Sequence, residues 1–359
     1  MSREIDGTEQ KGISTVARGL FPRGRPPDNE TSHMLDIFNA IAPVFLLIIA
    51  GVIVEYVEVL PREFNRLFST FIVTFCVPCL TFHIIVNVRA EQLTQGWWWL
   101  CVCAAQLLVA ALLFIIEKAR RAPLLEATVI SLGGALCNSA FLGLPVIMNY
   151  LPGNAEATML AGLMLLSGNV LMIPMFVIMD TAGAAPGPRP KGVLAGLWSA
   201  LRRYVFRSPI LMTALISAAI NALGIPIWAP FDRTMADIGF LAPTCMLFSL
   251  GLGLREKVAR ILKGHRVSMA RQAWLLAWKL VLQPLILLGM LTAAGFTGLW
   301  VAVPVIIIAS GSAVFISVLA DLHDACPEEA TFAVVSSSTL CLATMTGWIW
   351  VLQELGYLS

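Results

Sequence analysis

Residues 138–145 read Asn-Ser-Ala-Phe-Leu-Gly-Leu-Pro and lie in the middle of an apolar segment that runs from about 127 to 150. Pro145 removes an amide donor and clashes with the preceding helical turn, and Gly143 loosens the helix, so the sequence predicts a break near the centre of this segment. A broken helix exposes amides that attract anions and carbonyls that bind cations, where they line a cavity. The alternative is a simple proline kink whose freed carbonyls are capped by Asn138 or Ser139.

A second small and polar stretch, residues 309–313 (Ala-Ser-Gly-Ser-Ala), interrupts a later apolar segment. The dipeptide at 139–140 recurs at 312–313, and the tripeptide at 156–158 recurs at 329–331, both 173 residues later. Two weakened helices at matching positions predict a central binding site. The candidate substrate-binding residues are Asn138, Ser139, Gly143 and Pro145 from the first stretch, Ser310, Gly311 and Ser312 from the second, and Asn169 from the segment between them.

The composition places the chain in a bilayer. Mean hydropathy is +0.81, 58% of residues are hydrophobic and 13% are charged, whereas a soluble domain carries about a quarter charged residues. A helix needs about 20 apolar residues to cross a hydrocarbon core of about 30 Å. Apolar runs between charged, Pro or Gly residues predict an all-α membrane protein with spans near 37–57, 67–87, 96–116, 127–150, 155–179, 207–224, 234–254, 272–295, 298–320 and 329–355.

The predicted spans divide into two halves of five. We expect a polar, disordered tail at 1–33, in which Met34 is a candidate alternative start, then a first repeat at 34–180, a linker at 181–206 and a second repeat at 207–359. Because five is odd, two halves that share a fold must be inserted with opposite orientations. The sequence therefore predicts two inverted five-helix repeats with broken fourth and ninth helices.

Basic residues are distributed unevenly between alternate loops. One side of the membrane carries few basic residues, namely Arg89, Arg233 and those of the tail. The positive-inside rule makes this side the outside, so both termini are predicted to lie outside. The side predicted to be cytoplasmic carries Arg62, Arg66, Lys118, Arg120, Arg121, Arg189, Lys191, Arg202, Arg203, Arg207, Arg255, Lys257, Arg260, Lys263, Arg266 and Arg271.

Several classes of function find no support in the sequence. The chain lacks a Walker A sequence, an H-E-x-x-H pair and any evident catalytic dyad, so we predict neither an enzyme nor a cofactor or metal site. The net charge of +2 does not favour a nucleic-acid partner. The cysteines lie in apolar segments, apart from Cys326 in a predicted loop, and are interpreted as small buried hydrophobic residues.

The pattern N-x-x-x-x-G-x-P at Asn138, Gly143 and Pro145 resembles the auxin efflux carrier family, which includes plant auxin exporters and bacterial carriers of malonate or malate. Pro78 in FIVTFCVPCLTF is similar to that family's proline in the second helix, and residues 207–209 resemble the entry to its second half. Residues 279–284 and 336–339 are also similar to the corresponding segments of that family. The resemblance extends over about residues 37–352.

The resemblance implies ten helices, crossing broken helices four and nine, a transport domain that moves against a scaffold in an elevator-like cycle, and a homodimer. It also implies a plasma-membrane location, which is the inner membrane in a bacterium. The ninth helix departs from the family pattern, because Ser310, Gly311 and Ser312 stand where the family usually has a proline and often an asparagine.

Three polar residues within the spans have two interpretations each. Asn169 can bind a substrate or a neighbouring helix. His83 can couple transport to protons or simply lie at the membrane interface. Lys279 can act as a counter-ion for the substrate, or its long stem can reach back to the basic interface. The tryptophans cluster near span ends and predict an aromatic belt at the interface, namely Trp97, Trp98, Trp99, Trp228, Trp300, Trp348 and Trp350.

We therefore expect a secondary carrier that moves a small organic anion, a carboxylate, across the lipid bilayer by alternating access. A proton or a sodium ion is the candidate coupling ion. One alternative is a sodium-coupled carrier of similar architecture, such as a bile-acid-like symporter. The other is a membrane sensor or scaffold without flux, against which the costly polar breaks argue.

Overall fold

The computed structural model of the protein describes residues 30–61, 63–88, 95–181, 198, 209–255 and 267–358. Within them the ordered elements are helices, and one isolated β-bridge is the only strand-like pairing. Residues Ile37–Ser359 form one unit and Met1–Asp36 another. The predicted tail lies outside the described residues up to position 29, and so does most of the predicted linker.

Every predicted span contains helix in the part of the chain that the structure describes. Among the described residues, five helices are long and apolar enough to cross a membrane, so the chain is a multi-pass membrane protein whose described elements are helical. The helices are α1 (Glu30–Tyr56), α2 (Phe64–Asn87), α3 (Gly96–Ala119), α4 (Leu124–Ala135), α5 (Ser139–Tyr150), α6 (Ala155–Thr181), α7 (Pro209–Ala222), α8 (Ala229–Leu252), α9 (Met269–Ala293), α10 (Leu299–Ile308), α11 (Phe315–His323) and α12 (Pro327–Glu354).

Three helices widen just before a proline. A π-helical turn ends at Cys76, two residues before Pro78; a second ends at Gly143, before Pro145; and a third ends at Leu282, before Pro284. A proline lacks the amide of the i→i−4 bond and its ring crowds the preceding turn, which a wider turn relieves. The wider turns thus accommodate the prolines within α2, α5 and α9 without ending these helices.

Two tryptophans compensate for prolines inside helices. Pro304 in α10 cannot bond the carbonyl of Trp300, and that oxygen accepts the indole N–H of Trp98 at 3.0 Å. Pro284 likewise frees the carbonyl of Leu280, which accepts the indole N–H of Trp348 at 2.9 Å. The aromatic-belt interpretation is therefore wrong for Trp98, which is wholly buried. Trp348 is half-buried, and its indole N–H bonds inside the protein.

Replacing Trp348 with Phe tests this compensation. The variant leaves the buried carbonyl of Leu280 without a donor, and an unsatisfied buried polar group costs about 1–3 kcal/mol. We expect a lower unfolding temperature in detergent, measured by intrinsic fluorescence. Trp350→Phe, two residues away on an exposed position, should unfold like the wild type; equal destabilisation of the two variants would contradict the assignment.

The helices pack as two groups. The scaffold group comprises α1, α2, α7 and α8: α2 packs against α7 and α8, and α1 meets α8 where Gly51 and Gly251 let the backbones touch. In the crossing group, which comprises α3–α6 and α9–α12, α3 packs on α4 and α9, α6 on α10, and α12 on α9 and α11. The groups meet where the start of α5 contacts α8 and where α2 contacts α6.

One arginine holds three helix ends of the crossing group together. Arg271, at the start of α9, donates to Glu117 at 2.5 Å, Glu126 at 2.7 Å and Glu329 at 2.6 Å, which belong to α3, α4 and α12. Arg120 also bonds Glu117, at 3.1 Å. Because Glu117 is almost completely buried, its charge depends on these two partners.

Arg271→Met should therefore destabilise the protein strongly. Removing one partner of a buried ion pair costs about 3–5 kcal/mol, because the other charge is left uncompensated. The matched control is Arg255→Met, which breaks an exposed pair to Glu58 at 3.4 Å worth about 0–1 kcal/mol. Thermal unfolding of both variants checks the difference, and similar unfolding temperatures would show that the Arg271 cluster does not hold the helix ends.

Cys326 lies beside this cluster, between α11 and α12. Burial raises the pKa of its thiol to about 12, and the Glu126 carboxylate adds to the rise. All eight cysteines are free. The Cys326 thiol is therefore a poor nucleophile at neutral pH.

Candidate functional site

Two interrupted helices meet at the centre of the crossing group. The helix α4 ends at Ala135 and α5 begins at Ser139, while α10 ends at Ile308 and α11 begins at Phe315. We call the two connections, residues 136–138 and 309–314, the crossing. The breaks fall where the proline, glycine and serine pattern predicts them.

The two connections bind each other through the backbone. The amide of Asn138 donates to the carbonyl of Gly311 at 2.8 Å, and the amide of Ala313 donates to the carbonyl of Leu136 at 3.1 Å. These bonds form an antiparallel bridge between Cys137 and Ser312. The simple-kink alternative is wrong, because a kinked continuous helix has no such pairing between distant segments.

Close packing explains the glycines of the crossing. A Cβ atom on Gly311 would lie 2.7 Å from the amide nitrogen of Ser338 and 2.8 Å from its Cα, so this connection runs directly over the backbone of α12. A Cβ atom on Gly143 would lie 2.8 Å from a methyl carbon of Ile307 in α10. The absence of side chains at both positions lets the four half-helices approach.

Several polar side chains of the crossing are buried. Asn138 is 2% exposed and its amide nitrogen has no partner among the described residues, and the same is true of the hydroxyl of the fully buried Ser310. No side chain caps the start of α5, so Asn138 does not act as the cap that a kink would need. An unpaired donor in an apolar interior costs free energy, which a polar ligand can offset.

Ser139 and Ser312 differ in their surroundings. Ser139 is 9% exposed. Ser312 is wholly buried, and its hydroxyl donates to the carbonyl of Gly133 at 2.5 Å while its amide donates to the hydroxyl of Ser337 at 2.9 Å. Ser312 thus stabilises the end of α4 and the contact with α12.

Lys279 belongs to α9, and its ammonium group lies at the end of α10 and not at the membrane interface. It is wholly buried, and its ammonium group donates to the carbonyl of Ile308 at 3.0 Å and to the side-chain oxygen of Gln283 at 2.8 Å. The interpretation that its stem reaches back to the interface is wrong, because its position along α9 turns the side chain towards α10.

Gln283 and Ser338 were missed by the sequence analysis as single residues. Gln283 is wholly buried and its amide donates to the carbonyl of Ala135, the last residue of α4, at 2.6 Å. The hydroxyl of Ser338 is a further buried oxygen without a partner among the described residues. The signal for Gln283 was its position four residues after Lys279, which places both side chains on one helix face.

His83 and Asn169 are not brought into these contacts. His83 bonds Asp232 at 2.8 Å, where the end of α2 meets α8 in the scaffold group, and Asn87 donates to the same carboxylate. Asn169 lies in α6, and its side chain is outside the described residues. Within the described residues, no group of His, Cys, Asp and Glu has the arrangement of a metal site.

Comparison with known proteins agrees with this architecture. A family model described as membrane transport protein matches residues 36–349. The protein named "Putative malonate transporter" from Rhizobium meliloti (strain 1021) is 27% identical over 324 residues, which cover 89% of this chain and 97% of the relative. The chain is therefore a transporter and not an enzyme, and it belongs to the membrane transport protein family that contains the auxin efflux carriers.

Proposed function

We propose that this protein is a secondary carrier of small carboxylates of the malonate type, which bind at the crossing. The observation that carries the proposal is the buried and unpaired amide nitrogen of Asn138 at the uncapped start of α5. The start of a helix carries a partial positive charge, and unpaired donors there favour a carboxylate. The name of the Rhizobium meliloti relative supports malonate as the first compound to test.

The chemistry of the site suits a carboxylate better than a cation. At the crossing the carbonyls of Gly133, Ala135 and Ile308 already accept hydrogen bonds from side chains. The unpaired groups are the amide nitrogen of Asn138 and two serine hydroxyls, all of which can donate. Glu156 and Glu329, the two carboxylates of the repeated sequence pattern, bond Trp300 and Arg271.

Alternating access follows in this proposal from movement of the crossing group against the scaffold group. The surface between them is apolar near the site: Ile72, Ala242 and Met246 of the scaffold group pack against Ala140 and Phe141 of α5. An apolar surface favours sliding, and among the described residues no buried ion pair of this surface has to separate. Such a movement would carry the bound anion with the crossing group, as in an elevator.

The remaining features of the proposal rest on the sequence pattern. The five apolar segments before and after the linker form two inverted repeats, and both interruptions lie in the fourth segment of a repeat. Both termini lie outside by the positive-inside rule. The family resemblance implies a homodimer, which native mass spectrometry in mild detergent can test.

A counterflow assay tests the proposed function. Proteoliposomes loaded with unlabelled malonate should accumulate labelled malonate from the outside, and vesicles without protein should not. Acetate, succinate and malate as competitors define the substrate range. Absence of counterflow for every carboxylate, combined with retention of a bound protein partner on purification, would instead favour the sensor or scaffold alternative.

A further inference from the structure

The two helix ends on the carbonyl side of the crossing are closed by one pair of side chains from α9. Lys279 binds the carbonyl of Ile308 at the end of α10. Gln283 binds the carbonyl of Ala135 at the end of α4, and the two side chains bind each other at 2.8 Å. A single strip of α9 therefore links the last carbonyls of both interrupted helices.

A helix end of this kind carries a partial negative charge and is an ordinary place for a cation. In carriers with discontinuous helices, such carbonyl ends commonly coordinate sodium. Here an ammonium group already lies at one of the two ends, within hydrogen-bond distance of its oxygen. A sodium ion at the same oxygens would have to displace a wholly buried lysine.

The charge of Lys279 has no carboxylate partner in the described part of the chain. Its two hydrogen-bond acceptors are neutral oxygens, and both side chains are wholly buried. An unneutralised positive charge in a low-dielectric interior is costly, and an anion nearby reduces the cost. The starts of α5 and α11, on the other side of the crossing, are the positive ends of their helices.

We propose that Lys279 is a tethered cation that occupies the carbonyl ends of the interrupted helices, so that the crossing binds an organic anion without a metal ion. Gln283 is the positioning residue: it accepts a hydrogen bond from Lys279 and donates one to the carbonyl at the second helix end. The binding of an organic anion at the crossing rests on the proposed function, whereas the occupation of the carbonyl ends by Lys279 does not.

Substrate-free thermal unfolding tests the cation position. The purified protein is compared in choline, sodium and ethylammonium chloride at one ionic strength. We expect no sodium-specific stabilisation of the wild type, whereas Lys279→Ala should be destabilised in choline and regain stability in sodium or ethylammonium. Lys118→Ala is the matched control, because Lys118 also bonds a backbone carbonyl, that of Ala122 between α3 and α4, but is exposed.

A sodium-specific rise in the unfolding temperature of the wild type would overturn the proposal, and so would a Lys279→Ala variant that responds to neither cation. If Lys279→Ala does not fold, Gln283→Glu replaces it, because this variant gives Lys279 a carboxylate partner with little change in shape. We expect Gln283→Glu to weaken malonate binding at least tenfold more than Gln283→Met does, because both variants lose the bond to the carbonyl of Ala135 and only Gln283→Glu neutralises the charge of Lys279. Equal binding by the two variants contradicts the role of the charge, whereas absence of malonate binding by the wild type contradicts the proposed function alone.

Discussion

Asn138→Ala should abolish malonate counterflow without lowering the stability of the protein. The variant removes the amide nitrogen that we assign to the carboxylate, and a hydrogen bond to a charged group contributes about 1.5–3 kcal/mol. That loss corresponds to about a tenfold to hundredfold weaker binding. The same nitrogen has no partner among the described residues, so its removal should leave the unfolding temperature unchanged or slightly higher.

The matched control is Asn149→Ala, near the other end of α5, the helix that Asn138 precedes. The amide of Asn149 donates to the carbonyl of Pro145 at 2.8 Å, so this variant loses a local hydrogen bond and should still transport. Asn138→Asp should be inactive as well, because it replaces the donor with a negative charge. Wild-type counterflow by Asn138→Ala would remove Asn138 from the site, and a fall in stability equal to the fall in transport would assign it a structural role.

Gly311→Ala should disrupt the crossing itself. The added methyl group would lie 2.7–2.9 Å from backbone atoms of Ser337 and Ser338, and rotation of a side chain cannot relieve a clash with backbone. The connection must therefore move away from α12, which breaks the bond from the amide of Ser312 to Ser337 and strains the bridge to Asn138. Overpacking of this kind costs about 1–3 kcal/mol, and transport should be lost.

Gly347→Ala is the control for the glycine substitution. Gly347 lies within α12, the helix that Gly311 contacts, but a Cβ atom at Gly347 would meet nothing within 4 Å. Alanine is the better helix former by about 1 kcal/mol, so this variant should be at least as stable as the wild type. Thermal unfolding and counterflow measured on both variants check the prediction, which fails if Gly311→Ala behaves like Gly347→Ala.

The positions of the helices and of their breaks follow from local sequence. Each predicted apolar segment contains helix in the described residues, since the need to cross a bilayer fixes segment length and polarity. The breaks before Ser139 and after Ile308 were predictable because Pro145, Gly143 and Gly311 oppose a continuous helix within a few residues of the site. These are effects of neighbouring residues, which a sequence shows directly.

The contacts of Lys279, Trp98 and Trp348 could not be predicted in this way. The distance of Lys279 from the end of its segment suggested an interfacial ammonium group, but the direction of a side chain depends on which helices surround it. Each of the three side chains donates to a carbonyl at an interrupted or proline-containing helix. Such partners belong to segments that are distant in the chain, and hydropathy carries no information about them.

A structure of the malonate-loaded protein in lipid nanodiscs, determined by cryo-electron microscopy, tests the central claim most directly. We expect a carboxylate of malonate within hydrogen-bond distance of the side-chain nitrogen of Asn138, between the starts of α5 and α11. The contradicting result is malonate bound elsewhere with the crossing empty, for example in the cavity of about 390 Å³ beside Glu117, Arg120 and Arg271.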